Sequence, residues 1–470
     1  MALIGRKRNE QRRLKKSCKY NKQHSFKNEQ KLLCELRVIR KDLLGIGLQN
    51  RWSGRDIDRK QGMKGEIGLF AIRDKADVGI QPHYGIDLSG LKIQSKPINQ
   101  EELDIINKKR SNLFSWNGQF SPQLIESILK AYGTNSKHVL DPFSGSGTTL
   151  IESASYGISV SGIELNPAAY YMSSVYKWCN VLIENRENLL KHIEEKLDGC
   201  GWNVDEIPKL TTKNKLLDNT ISLLMVIIDL YKNNFSREVV QEKWNNLKKT
   251  ILELPYSDRN IQAILGDSRI INKVGEKPDL VITSPPYINV FNYHQAYRKS
   301  VEALGYNVLK IAKSEFGANR KFRSNRFNIV TQYCIDMAQH FFDLIRNTTD
   351  DCRLVYIVGR ESKILKIPFC NSGLIVAIWV DVFGMEIENR QERKFKNRFG
   401  QIIYEDILVM KKNKYANELS IEEVICGAKE VARCAFLLAL EDENAIGNIG
   451  LIENAIINID KIIGSEVFYE

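Results

Sequence analysis

The chain has 470 residues, 43% hydrophobic and 27% charged, with a formal net charge of +11. These are the proportions of an ordinary soluble protein with room for two to four domains, or one large domain with insertions. Apolar runs such as Leu223–Ile228 are too short to cross a bilayer, and the start, Met1–Arg8, turns basic without an apolar core, so no membrane partner or signal peptide is expected and the protein reads as cytoplasmic. The 9 cysteines are odd in number with no Cys-x-x-Cys pair, and the 6 histidines lack ligand spacing, which argues against a disulfide framework and leaves no metal expected.

Charge is uneven along the chain. Residues 1–60 carry 18 Lys/Arg against 6 Asp/Glu, and residues 416–470 carry 3 against 11. Residues 1–28 read as a flexible basic arm, within an amino-terminal extension of residues 1–100. Apolar positions Leu32, Leu33, Leu36, Val38 and Ile39 suggest an amphipathic helix from Asn28 to about Leu48. A helix is expected from Gln100 to Asn112, and another over Pro122–Tyr132, entered through Ser121 with proline at its first position. The run His138–Asp141 then reads as a strand, Thr148–Tyr156 as a helix and Ser159–Glu164 as a second strand. That is a strand–loop–helix–strand unit of a doubly wound, Rossmann-like α/β sheet. Residues 167–250 read as mostly helical and too long for a simple crossover, so a helical insertion is expected at about 170–255. Strands are expected at Gln262–Leu265, Asp279–Ile282, Arg353–Val358, Leu374–Trp379 and Ile402–Met410, with a helix at about 329–346. The main domain spans about 101–415, and residues 416–470 read as an acidic helical extension.

Two loops carry the chemistry. The first is Asp141-Pro142-Phe143-Ser144-Gly145-Ser146-Gly147-Thr148-Thr149, where two glycines let the backbone turn sharply and approach a ligand beside the free amides of a helix start. No lysine follows Gly147, so the phosphate loop of an ATPase is disfavoured, and the dinucleotide fingerprint lacks its third glycine because Leu150 stands there. Glu164 ends the second strand, placed to accept from both hydroxyls of a ribose. Asp267, after another strand in Leu265-Gly266-Asp267-Ser268, is placed to accept from an adenine amino group. Three acids at three strand ends suit an uncharged adenosine bearing a sulfonium better than a pyrophosphate. Each acid alone reads equally as a cap or a solvated loop residue.

The second loop is Thr283-Ser284-Pro285-Pro286-Tyr287, a proline-locked turn after the apolar run Leu280–Ile282. It offers fixed carbonyls, a hydroxyl and a stacking ring, which suits a planar base with an exocyclic amino group. With both loops on one chain, the sequence resembles S-adenosylmethionine-dependent DNA amino-methyltransferases, which modify cytosine N4 or adenine N6 and often belong to restriction–modification systems. Asp141–Thr149 matches that family's first motif, Gly162–Pro167 its second, with Glu164 and Asn166, and Gly266–Asp267 its third, followed by Ser268. Thr283–Tyr287 matches the catalytic fourth, and Trp116–Gln123, with Phe120 and Ser121, resembles the segment beside the methionine end of the cofactor. The likeness covers roughly residues 110–410, with the cofactor motifs ahead of the catalytic one, a permuted order known in the family.

The resemblance implies S-adenosylmethionine as cofactor and double-stranded DNA as partner, with a cognate restriction endonuclease as a possible genetic partner. Ser284 and the Pro285 carbonyl would accept the two amino hydrogens, and Tyr287 would stack on the extruded base. Cytosine C5 methylation needs a cysteine after a proline, and no Pro-Cys dipeptide occurs. Serine at the head of the catalytic motif leans toward N4 of cytosine over N6 of adenine. His294 reads as structural rather than as a general base. The loop Lys313–Arg326 interleaves Lys313, Arg320, Lys321, Arg323 and Arg326 with Phe316 and Phe322, which suits either contact with a DNA backbone or a solvated surface. A second basic cluster runs from Arg390 to Arg398. An RNA base methyltransferase and a non-catalytic DNA-binding regulator are the rival readings.

Overall fold

The computed structural model describes residues 96–230, 235–289, 291–317, 322–397, 400–412 and 419–469. The basic arm and the helix expected from Asn28 lie outside these residues. Seven strands form one sheet in the order β3-β2-β1-β4-β5-β9-β8. They are β1 His138–Asp141, β2 Ser159–Glu164, β3 Ile261–Leu265, β4 Leu280–Thr283, β5 Arg353–Gly359, β8 Glu386–Lys396 and β9 Ile402–Lys411. β1 to β5 are mutually parallel, while β9 runs antiparallel to both β5 and β8. The order reverses between β1 and β4. In a doubly wound sheet that switch point opens a crevice beyond the carboxyl ends of the strands.

The pleat divides the core in two. Val139, Val160, Leu280, Ile282, Val355 and Ile357 face one layer, which holds Trp178, Leu190, Ile193 and Trp244 from residues 175–253. Leu140, Ile163, Val281, Leu354, Tyr356 and Val358 face the other, built largely on the helices Asn328–Asn347 and Ile421–Ala439. The described residues of 167–253 carry four α-helices, Pro167–Ser174, Ile183–Gly199, Lys215–Ile228 and Arg237–Glu253. The acidic carboxyl-terminal helix Ile421–Ala439 packs into the same core through Val424, Ala428, Ala432 and Phe436.

Several elements depart from the sequence expectation. Leu374–Trp379 is not a strand: Asn371–Ala377 is a helix running into the wider turn Ile378–Val382. Its side chains are buried on every side, and a short all-apolar run has no period that separates helix from strand. The helix from Gln100 stops at Asp104 instead of Asn112, ending on Ile105 in the left-handed region at φ 51°. The basic cluster from Arg390 is strand β8, with Arg398 outside the described residues. A hairpin of β6 Glu361–Ile364 and β7 Ile367–Cys370 was not foreseen; its tip is Leu365-Lys366, both at positive φ.

Candidate active site

The crevice is built from the ends of β1, β2, β3 and β4. After β1, Gly145 takes φ 51° and Gly147 φ 87°. A side chain at Gly147 would lie 2.8 Å from Ser173 and Tyr176, so glycine is demanded by contact as well as by conformation. The Gly145 amide donates to Glu164 Oε2 at 2.8 Å, and the Asn166 amide to Glu164 Oε1 at 2.8 Å. The Asn166 side chain caps the following helix through the Ala168 amide and also donates to the Tyr293 carbonyl. Thr283 at the end of β4 donates to Asp141 Oδ1 at 2.6 Å, and the Phe143 amide donates to the same atom. Asp141 therefore ties the glycine loop to the Ser-Pro-Pro-Tyr turn.

These residues surround one space of about 860 Å3, open mouth included. Phe120, Pro142, Phe143, Gly145, Thr148, Glu164, Asn166, Asp267, Ser268, Ser284 and Pro286 line it. Ser121, Asp141, Gly147, Pro285 and Tyr287 are not among the lining residues. Ser121 Oγ and Ser144 Oγ are buried without a hydrogen-bond partner among the described residues. The wall also uses Trp116, Tyr293, Glu315 and Phe316. Trp116 stacks with Tyr293 at 6.0 Å and 17°, and Glu315 holds the buried His294 through its ring Nδ1 at 2.7 Å. No spacing in the sequence singles out Glu315, which depends on a partner 21 residues away.

Burial sets the electrostatics. It pushes the Asp141 carboxyl up to about 6, against the hydrogen bonds from Thr283 and Phe143. It pushes Glu164 up to about 7, against the two backbone amides, with Asp141 adding to the rise.

Asp267 requires a correction. Arg269 donates to Asp267 Oδ1 through Nε (2.9 Å) and its backbone amide (3.0 Å), and to Oδ2 through Nη2 (2.7 Å). The Phe468 amide fills the remaining place on Oδ2 at 3.0 Å. A carboxylate offers about four lone-pair positions, and all are taken, so Asp267 has no free acceptor for an adenine amino group. The donors come partly from the far end of the chain. Arg269 also donates to the carbonyls of Ser465 and Glu466, and Ser465 binds Asp336 with both amide and hydroxyl. Residues 464–469 thus form a strap over the back of the site.

The expected base-stacking ring is held from two sides. Gly359 at the end of β5 leaves room for Tyr287, because a Cβ there would sit 2.7–3.0 Å from the ring. The Tyr287 hydroxyl lies 3.2 Å from Ser284 Oγ and 3.2 Å from Glu405 Oε1 on β9.

The basic segment is not one open loop. Lys313 lies on the helix Val308–Ser314 and pairs with Glu466 at 3.2 Å. Phe316 is 6% exposed, set edge-on to Phe143 with Arg269 over its ring, and so is part of the wall rather than a surface probe. Arg323 is exposed, while Arg326 donates to Asn289 at 2.7 Å, two residues past the catalytic turn. Arg320 and Lys321 lie outside the described residues. On β8, Arg390 is paired with Asp406, and Arg393 sits 3.5 Å from Glu405. Among the described residues no group of His, Cys, Asp or Glu is placed to hold a metal, and no helix is long and apolar enough to cross a membrane.

A parallel sheet reversing between β1 and β4, with a glycine loop and an acid at adjacent strand ends, places the chain in the doubly wound, Rossmann-like class of α/β proteins. Comparison with known proteins narrows the class. Residues 7–175 match a family described as DNA methylase, and residues 110–320 one described as RMKL-like, methyltransferase domain. The Type II methyltransferase M.MjaII of Methanocaldococcus jannaschii is 26% identical over 30% of this chain and 26% of its own length. The Type II methyltransferase M.BsoBI of Geobacillus stearothermophilus is 21% identical over 48% of this chain and 61% of its own. The chain thus spans less than two thirds of either relative. The crystal structure of TrmN from Thermus thermophilus aligns at 13% identity and a TM-score of 0.28, over 63% of this chain and 50% of that one. The matches are thus to a DNA methylase family and to two Type II methyltransferases.

Proposed function

We propose that the protein methylates the exocyclic amino group of a base in duplex DNA, at N4 of cytosine, with N6 of adenine as the alternative. The observation that carries this reading is that Ser284 and Pro286 line the same space as Glu164 and Gly145. A nucleoside site and an amine-accepting turn therefore share one cavity.

The residues fit S-adenosylmethionine. Glu164 spends one lone pair of each oxygen on a backbone amide, leaving one on each for the two ribose hydroxyls. Phe120, Phe143 and Phe316 give apolar walls. Asp267 contributes the shape of the wall rather than an acceptor. Bound there, the cofactor supplies an electrophilic methyl group on a sulfonium. Ser284 Oγ and the Pro285 carbonyl accept the two amino hydrogens, which draws nitrogen toward tetrahedral geometry and frees its lone pair. The same acceptors stabilise the positive charge that grows on nitrogen. Holding the two reactants in line supplies much of the remaining acceleration. The base leaves the helix to reach the turn, since its amino group is otherwise engaged in pairing.

Serine at position 284 supports cytosine. A restriction endonuclease is a possible genetic partner in this reading. The test is to express the protein, digest host DNA to nucleosides and compare it with a Ser284→Ala control. N4-methylcytosine in the active sample alone is the expected result. N6-methyladenine would overturn the base, and neither mark would overturn the reading on DNA.

A further inference from the structure

We propose that Glu405 is a positioning residue of this site: it turns the Tyr287 hydroxyl toward itself and so leaves Ser284 Oγ facing the target amine as an acceptor. The inference rests on the reading of Ser284 as the partner of that amine. A hydroxyl carries one hydrogen, and Ser284 can accept from the base only if its own hydrogen points elsewhere. Tyr287 Oη, 3.2 Å away, is placed to receive it. It does so when the tyrosine hydrogen is committed to Glu405 Oε1, also at 3.2 Å. An ionised carboxylate accepts and cannot donate, so the line Ser284 to Tyr287 to Glu405 has one sense. Both separations exceed the usual O–H···O length of about 2.8 Å, and catalytic hydrogen bonds commonly tighten only when the site is filled.

The surroundings keep the line in place. Glu405 is paired across the sheet with Gly359, whose missing side chain admits the Tyr287 ring. On the other side, Arg393 of β8 stands 3.5 Å from Glu405 Oε2 and favours the ionised form. Asp406, next on the strand, is neutralised by Arg360 and Arg390. Burial works against Arg393 and holds the Glu405 carboxyl above the usual range. Protonation therefore reverses the line at a pH where an exposed glutamate is still ionised. The line also gives the amino proton an exit. As the N–H bond breaks, Ser284 Oγ gains that proton, Tyr287 Oη gains the serine's, and Glu405 gains the tyrosine's; each oxygen except that of Glu405 ends as it began.

Two measurements test the proposal. Infrared titration of the free protein reads the Glu405 carboxyl directly, and Tyr287→Phe is expected to raise its pKa by removing a donor to the anion. Single-turnover methylation of duplex DNA by Glu405→Gln is expected to fall about 10²-fold, the scale of a lost proton-handling group. With cofactor saturating, so that Glu164 stays ionised throughout, its acid limb should vanish from the pH profile, with cofactor and DNA affinity within twofold of the parent. A Glu405 pKa indifferent to Tyr287→Phe, or an acid limb that survives in Glu405→Gln, overturns the proposal. If the parent methylates no DNA, the reading of the reaction fails instead, and the infrared result alone decides whether the line exists.

Discussion

Glu164 sits where two backbone amides and burial oppose each other, and the outcome, a carboxyl near 7, has measurable consequences. A sulfonium nearby favours the anion, so cofactor binding at pH 6.5 should expel protons. Calorimetry in buffers of different ionisation enthalpy is expected to show this release, and Glu164→Gln to abolish it. The free protein shows the opposite face of the same shift. Its glutamate holds a proton that the unfolded chain, near 4.5, gives up, so this contribution to stability is lost as pH rises from about 4.5 to about 7. Urea midpoints of the parent and Glu164→Gln should converge or diverge across that window and run parallel outside it. Gly359→Ala tests the other side of the site. Its Cβ would press on the Tyr287 ring at 2.7 Å, at a cost of about 1–3 kcal/mol for overpacking. Turnover should drop more than tenfold, with cofactor affinity kept. The placement of Glu164 at the end of β2 and of Ser284 just after β4 was legible from the apolar runs before them. Asp267 was misread because the chain supplies its donors from residues 2 and 201 positions away, and Glu405 was invisible because 118 residues separate it from Tyr287.

Among the elements, the strap of residues 464–469 bears most directly on the site. Removing it strips Arg269 of two carbonyl acceptors and Asp336 of two donors, in three buried hydrogen bonds and one partly buried one. Unsatisfied charged groups of this kind cost on the order of 2–4 kcal/mol. Deleting residues 464–470 should lower the melting temperature and weaken cofactor binding at least tenfold while far-ultraviolet circular dichroism stays near that of the parent. Unchanged affinity by calorimetry would separate the strap from the pocket. The strands β1, β2 and β3 and the long helices were readable because each has flanking punctuation and a clear period. The helix at Asn371–Ala377 was not, since continuous burial erases the period. Strand β8 was read only as a basic cluster because its charges are matched across the sheet, by Glu405 and Asp406, and not along the chain.

For the whole molecule, charge is divided by position in the sequence. The 12 net positive charges of residues 1–60 are suited to phosphate contact, and each contact contributes about 0.9 to the slope of log K against log salt. Deleting those residues should flatten that slope by several units while methyl transfer to short duplexes at low salt persists, and an unaltered slope would move DNA contact elsewhere. The parallel half of the sheet was implied by the strand–helix–strand pattern. The antiparallel pair β8–β9 and the union of the acidic tail with the central core were not, because both depend on pairings between distant segments. That union also governs when the protein becomes competent. A nascent chain that has just brought Asp267 out of the ribosome still lacks the Phe468 amide, 201 residues later. At about 5–20 residues per second, translation leaves the pocket wall unfinished for roughly 10–40 s. The wall behind Asp267 is therefore completed only after β9 and the helix Ile421–Ala439 have been made.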